Sequence, residues 1–186
     1  MNHPGNPIYS PAAIDMITVS AEYCIFLEKL VSSATTRRQF LEQMTRLLPL
    51  IYVKASLLPE LEETGAFDLP VVVTEDDYDE VRQSVWRLLK ADDDYLEVFT
   101  PDMQYSEGAV THTISEDLAD IYQDLKNFVA VFADRNEEAM HDAIARVLDN
   151  FRTYWGQCLV NVMRPLHDLL YNKTENEEDG DIETNT

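Results

Sequence analysis

The stretch ISEDLADIYQDLKNFVAVFAD, residues 114–134, decides the fold class, because it carries the clearest helical pattern in the chain. Its large apolar residues recur at steps of three and four, which places their side chains on one face of an α-helix. That face consists of Ile114, Leu118, Ile121, Tyr122, Leu125, Phe128, Val129 and Phe132. The stretch therefore predicts an amphipathic helix that packs one face against a core.

Three carboxylates lie along a neighbouring stripe of the same predicted helix. Asp117, Asp120 and Asp124 follow a three-then-four spacing, which aligns them on one side. Carboxylate oxygens are the ligands that Mg²⁺ and Mn²⁺ prefer, so this stripe is a candidate site for a divalent metal ion. The same stripe also suits a basic partner or a solvated surface, and the sequence leaves these alternatives open.

Similar patterns predict four further helices. They begin near Ser10, after Thr35 or Thr36, at Thr74 and at Asn136, which are residue types that cap helix N-termini. We therefore expect an all-α protein, an up-and-down bundle of about five main helices. Its length of 186 residues predicts one domain, from residue 10 to 171. Residues 1–9 are expected to form a flexible arm and 172–186 an acidic, disordered tail.

Three small or rigid residues interrupt these helical patterns. Pro49 lies in the second predicted helix and Pro165 in the last, and each predicts a bend because proline removes a backbone hydrogen bond. Bent helices can line pockets, so a small-ligand cavity near these prolines is a further alternative. Gly156, directly after Trp155, favours a helix-packing contact through a small residue, and the close approach of another backbone or of a ligand is the alternative.

The interval 91–113 separates the third and fourth predicted helices and lacks helical periodicity. We expect a loop strapped across the bundle, because apolar residues such as Tyr95, Leu96 and Phe99 can anchor it to the helices. Loops of this length in compact domains are also enriched for function. Between Lys90 and Lys126 the chain has ten acidic residues and no Lys or Arg, which favours a basic partner here. The candidate partner-binding residues are Asp92, Asp93, Asp94, Glu97 and His112.

Composition excludes several classes of function. The chain has 35 Asp and Glu against 14 Lys and Arg, a net charge of -21, which repels nucleic-acid backbones and anionic membrane surfaces. No apolar run is long enough to span a bilayer. Cys24 and Cys158 lie far apart, without the spacing of a metal or disulfide motif, so we expect a cytoplasmic protein with reduced thiols.

Two segments resemble a known family, namely DDDYLEVF at 92–99 and ISEDLADIYQDLK at 114–126. They are similar to small bacterial proteins classed only as a domain of unknown function, typical of the Bacteroides group. The similarity extends from about Ser10 to Tyr171. The resemblance implies an all-helical fold and a bacterial host, and it supplies no catalytic residues.

The sequence therefore favours a non-catalytic, acidic interaction protein that binds a basic protein partner. The alternative is a divalent-metal-dependent hydrolase of a phosphorylated small molecule, with Asp117, Asp120 and Asp124 as its metal ligands and Mg²⁺ or Mn²⁺ as its ion. No phosphate-binding glycine loop or nucleophile motif is present, so no other cofactor is predicted. Whether the chain catalyses a reaction stays open, as does its oligomeric state.

Overall fold

A computed structural model describes residues 5–97 and 110–172, and helices make up most of them. The helices are α1 (Pro11–Leu30), α2 (Arg37–Ser56), α3 (Glu75–Leu89), α4 (Ile114–Ala133), α5 (Glu137–Asn150) and α6 (Gly156–Tyr171). A π turn, Phe151–Trp155, joins α5 to α6 with helical backbone angles throughout, so these two form one rod. The prediction of an all-α bundle of about five main helices is confirmed.

Side-chain caps set the starts of the helices. Among the residues that the structure describes, five of the six α-helices have a capping side chain that accepts a hydrogen bond from the first turn, which satisfies an otherwise unpaired backbone N–H. The caps are Ser10 on α1, Thr36 on α2, Thr74 on α3, Thr113 on α4 and Asn136 on α5. Those on α2 and α3 are complete capping boxes, in which the third helical residue bonds back to the cap.

Helix α4 lies at the centre of the bundle, where it packs against α1, α3, α5 and α6. Leu118 and Leu125 on its predicted apolar face are fully buried. Each such side chain contributes roughly 1.5–3 kcal/mol to folding. The buried hydroxyl of Tyr23 on α1 donates to the Leu118 carbonyl oxygen at 2.8 Å, which ties α1 to α4.

Neither proline ends its helix, since α2 continues through Pro49 and α6 continues through Pro165. Within the described residues, no helix combines the length and the hydropathy that crossing a bilayer requires.

The interval 91–113 contains regular structure at both of its described ends. β1 (Asp94–Glu97) and β2 (Val110–Thr113) pair as a two-stranded antiparallel ladder. The prediction of an irregular loop is wrong there. Neither strand alternates apolar with polar residues, so the sequence pattern did not indicate a strand. Residues 98–109, the middle of the predicted strap, lie outside the described residues.

Residues 5–9 do not form a flexible arm. Ile8 is buried within a short 3-10 turn, and the Tyr9 hydroxyl donates to Glu137 of α5 at 3.0 Å. The Asn6 side-chain amide donates to the same carboxylate at 3.3 Å. That prediction was wrong because a three-residue turn has no periodicity to detect. Residues 1–4 and the predicted acidic tail after Asn172 lie outside the described part of the chain.

Candidate functional site

The π turn between α5 and α6 shapes the side of the bundle that faces the carboxylate stripe. The Gly156 N–H donates to the carbonyl oxygen of Phe151, five residues earlier rather than four. A Cβ at Gly156 would lie 2.2 Å from that oxygen, so only glycine fits. The close contact at Gly156 is therefore with the preceding turn of its own helix.

Two of the three predicted metal ligands lie together, and a cysteine joins them. A carboxylate oxygen of Asp117, one of Asp120 and the Sγ of Cys158 all lie within 4.8 Å of one another. We call these three residues the carboxylate–thiol cluster. Asp124 lies one turn further along α4, where it accepts a hydrogen bond of 2.6 Å from Asn150 instead.

Three tyrosine hydroxyls from other elements bond to this cluster. Tyr95 on β1 donates to Asp117, while Tyr78 on α3 and Tyr154 in the π turn donate to the two oxygens of Asp120. The Tyr78 bond measures 2.8 Å. These donors are uncharged, so they stabilise the carboxylates without neutralising their charge.

Burial raises the pKa of two members of the cluster and of Asp124 beside it. It raises the pKa of Asp117, although the hydrogen bond from Tyr95 and the nearby His112 imidazole oppose the shift. Burial also raises the pKa of Asp124, although the hydrogen bond from Asn150 opposes this shift. It raises the pKa of the Cys158 thiol to about 12. A metal ion at the cluster would have to displace the thiol proton, which weakens binding at neutral pH.

Replacing Asp117 with asparagine tests the raised pKa of this buried carboxyl. A raised pKa means that the folded protein binds the proton more tightly than the unfolded chain does. The associated stability is full below about pH 3.9 and is lost as the pH rises through the folded pKa. We therefore expect the unfolding free energy of the wild type, relative to Asp117→Asn, to increase as the pH falls from about 7 toward about 4.

Urea unfolding of both proteins across this pH range measures that difference. The matched control is Asp149→Asn, because Asp149 is exposed on α5. The difference in unfolding free energy between Asp149→Asn and the wild type should change little with pH. A difference for Asp117→Asn that stays constant or shrinks on acidification would contradict the raised pKa.

Two of the predicted partner-binding residues are occupied within the fold. Asp92 forms an ion pair with Arg37 at 2.6 Å. Asp93 is only 2% exposed, and its carboxylate accepts from the Ser115 backbone N–H at 2.8 Å and from the Ser115 hydroxyl at 2.6 Å. Asp93 therefore holds the first turn of α4 and is not accessible to a partner.

The other three predicted partner-binding residues lie on the ladder. Asp94 is exposed at the start of β1, and Glu97 is the last residue of that strand. His112 lies on β2 directly opposite Tyr95, with the two ring centroids 6.1 Å apart. Of these residues, His112 lies near Asp117 of the carboxylate–thiol cluster.

A groove of 340 Å³ lies between α1, α3, α4 and the connector before α3, and the sequence did not reveal it. We call it the acidic groove. Four valines line it, namely Val31, Val72, Val73 and Val81. Its charged residues are Glu28, Asp77, Glu80 and Lys126, which is three carboxylates against one ammonium.

The internal bonds of the acidic groove leave part of its negative charge uncompensated. Lys126 donates to Glu28 at 2.5 Å, and Tyr122 donates to the same oxygen at 3.0 Å. Asp77 caps α3 through one oxygen, Oδ2. Within the described residues, Glu80 is exposed and forms no ion pair. Sequence reasoning missed this groove because its acids come from two helices and share no single stripe.

Comparisons with known proteins agree with this fold. A crystal structure of a Bacteroides fragilis protein, solved by a structural genomics consortium, is 39% identical to this chain, with a TM-score of 0.79. The match covers 91% of this chain and 98% of that one. No protein with a curated description matches the chain. A family model described as a domain of unknown function, DUF5063, matches residues 7–172, which confirms the resemblance seen in the sequence. The chain therefore belongs to the DUF5063 family.

Proposed function

We propose that this protein is a non-catalytic interaction protein that binds a basic segment of a partner protein in the acidic groove. The observation that carries the proposal is the pairing of excess carboxylates with a valine lining in one groove. Lysine and arginine side chains have a charged head on an apolar stem, so the groove complements both parts.

The free carboxylate oxygens of the groove suit a guanidinium group in particular. Glu80 is unpaired within the described residues, and Asp77 uses only its Oδ2 atom to cap the helix. Arginine presents several N–H donors in a planar fork that binds carboxylates in pairs. An arginine that enters the groove would therefore form charge-assisted bonds without breaking the existing cap.

The remaining properties of the chain support this proposal. A net charge of -21 attracts a basic partner over distance and increases the rate of encounter. We place the protein in the cytoplasm as part of the same proposal, because Cys24 and Cys158 are both free thiols.

Replacing Glu80 with glutamine tests the groove directly. The probe is an acetylated peptide amide of alternating arginine and valine, and its matched control replaces each arginine with neutral citrulline. We expect Glu80→Gln to lower the affinity for the arginine peptide about three- to tenfold, because the substitution removes one charge from an otherwise unchanged groove. Titration calorimetry at about 50 mM and about 300 mM salt measures the affinity, which should fall at the higher salt.

Glu138→Gln is the matched control variant, because Glu138 is exposed in the first turn of α5. It changes the net charge equally and should leave the affinity within about twofold of the wild type. An equal loss of affinity in the two variants would show that the overall charge alone attracts the arginine peptide, which would contradict the proposal. Binding of the citrulline peptide as tight as that of the arginine peptide would also contradict it.

The metal-dependent hydrolase is a second candidate with less support. In its favour, one ligand atom each from Asp117, Asp120 and Cys158 lies within 4.8 Å of the others. A thiol among the ligands suits Zn²⁺ better than the Mg²⁺ or Mn²⁺ predicted from the carboxylates alone. Against it, tyrosine hydroxyls already bond to the carboxylates. A Zn²⁺ titration that leaves the melting temperature unchanged would remove this candidate.

A further inference from the structure

A second cavity, of 200 Å³, lies between α4, α5 and the connector that precedes α3. Most of its lining is apolar, namely Leu69, Pro70, Val71, Phe128, Val131, Ala143 and Val147. We call it the amine cavity. An apolar cavity of about 150 Å³ holds benzene, so this one has room for a single aromatic ring with a short substituent. Neither Pro49 nor Pro165 lines it, so it is not the pocket expected near the prolines.

One wall of this cavity carries a half-buried carboxylate. Asp124 accepts a hydrogen bond from Asn150 through its Oδ1 atom at 2.6 Å. Its second oxygen, Oδ2, has no hydrogen-bond donor among the described residues. Arg146 also lines the cavity, but its Nε donates to Glu63 at 2.6 Å, so that cation is already compensated. Asp124 is therefore the uncompensated charge of the cavity.

The outer wall of the cavity is held in place before any ligand binds. The connector that supplies this wall is attached to α4 through Asn127. The Asn127 side-chain oxygen accepts from the backbone N–H groups of Val72 at 2.8 Å and Val73 at 3.3 Å. A cavity that exists in the free protein requires little ordering of the chain on binding, which favours small ligands.

We propose that the amine cavity binds a small primary amine, with its ammonium group on Asp124 Oδ2 and its apolar body among the cavity side chains. An ammonium group offers three donors and a positive charge, which matches one free carboxylate oxygen. A neutral ligand of the same shape would cover the carboxylate without compensating its charge, which costs free energy. The chemistry of the cavity thus selects a cation with an apolar body.

Benzylamine is the probe that fits this description, and benzyl alcohol is its neutral match. For a ligand of this size in a partly open cavity, we expect a dissociation constant of about 1 mM for benzylamine. Benzyl alcohol should bind at least about tenfold more weakly. Amide chemical shifts in an NMR titration measure both affinities, and the largest changes should fall on Asn127, Val131 and Val147.

Two variants test the two halves of the proposal. Asp124→Asn keeps an acceptor for Asn150 but removes the charge, so benzylamine should bind at least about tenfold more weakly, with benzyl alcohol unchanged. Ala143→Val reduces the volume of the cavity, so benzylamine and benzyl alcohol should both bind more weakly, by similar factors. Glu80→Gln, in the acidic groove, should change neither affinity. A failure of the amine proposal can therefore be distinguished from a failure of the proposal for the acidic groove.

Three results would overturn the amine proposal. The first is equal affinity for benzylamine and benzyl alcohol in the wild type. The second is an unchanged benzylamine affinity in folded Asp124→Asn. The third is a set of chemical-shift changes that lies outside the cavity, or no changes at about 10 mM ligand. If Asp124→Asn does not fold, the wild-type ligand pair and Ala143→Val decide the question.

Discussion

Replacement of Gly156 with alanine is expected to lower the free energy of unfolding by about 3 kcal/mol. The added Cβ would lie 2.2 Å from the Phe151 carbonyl oxygen and less than 3 Å from two carbons of the Phe151 ring. The carbonyl belongs to the helix backbone, so it cannot rotate away as a flexible side chain would. Relief requires the π turn to change shape, which disturbs the packing of the buried Trp155 beside it.

Gly65→Ala provides the comparison for this prediction. Gly65 has a left-handed φ of 66°, but a Cβ there meets no atom within 4 Å. We expect a loss of about 1 kcal/mol from backbone strain alone. Urea unfolding of both variants measures the two losses, with circular dichroism to confirm helix content. A Gly156→Ala loss no larger than that of Gly65→Ala would contradict the close contact in the π turn.

Replacement of Asp142 with alanine is expected to cost about 3 kcal/mol of stability, because the carboxylate holds a distant part of the chain. Asp142 is fully buried on α5. It accepts from the Thr64 backbone N–H and hydroxyl, both at 2.8 Å, and from the Gly65 N–H at 3.1 Å. Alanine would leave these donors without a partner. Asp142→Asn keeps one good acceptor and should cost less.

The pH dependence of the Asp142 contribution has a defined sign. Burial pushes the pKa of Asp142 up, but the hydrogen bonds from Thr64, His141 and Gly65 outweigh burial and hold the pKa below its usual value. A lowered pKa gives stability that is present above the unfolded pKa of about 3.9 and is lost as the pH falls through the folded pKa. The unfolding free energy of the wild type should therefore exceed that of Asp142→Ala by the largest amount at neutral pH. This trend is opposite to the one expected for Asp117.

Chemical unfolding at about pH 7 and about pH 3 tests both the size and the sign of this effect. Asp149→Ala is the matched control, because Asp149 is exposed on the same helix, and it should change stability by less than about 0.5 kcal/mol. A loss in Asp142→Ala as small as that of the control, or one that grows on acidification, would contradict the role assigned to this carboxylate.

Part of the candidate site could be predicted from the sequence, because it lies on one helix. Asp117 and Asp120 were predicted to align, and one oxygen of each lies within 4.8 Å of the other. Cys158 and the tyrosines that bond to the carboxylates were not predicted as members. They lie on other elements, and their approach depends on how α3, β1, the π turn and α6 pack against α4. Gly156, directly after Trp155, was the one feature of the local sequence that pointed to this part of the bundle.

The sequence by itself determined the helices of this protein, their starts and the all-α class, because helical periodicity and N-caps act over three or four residues. Only the tertiary structure decided which carboxylates are buried and which line a cavity. Asp93 bonds to Ser115, Asp142 bonds to Thr64, and Asp77 shares a groove with Glu28. Such partners lie tens of residues apart, and only the packing of the helices brings them within hydrogen-bond distance or into one groove.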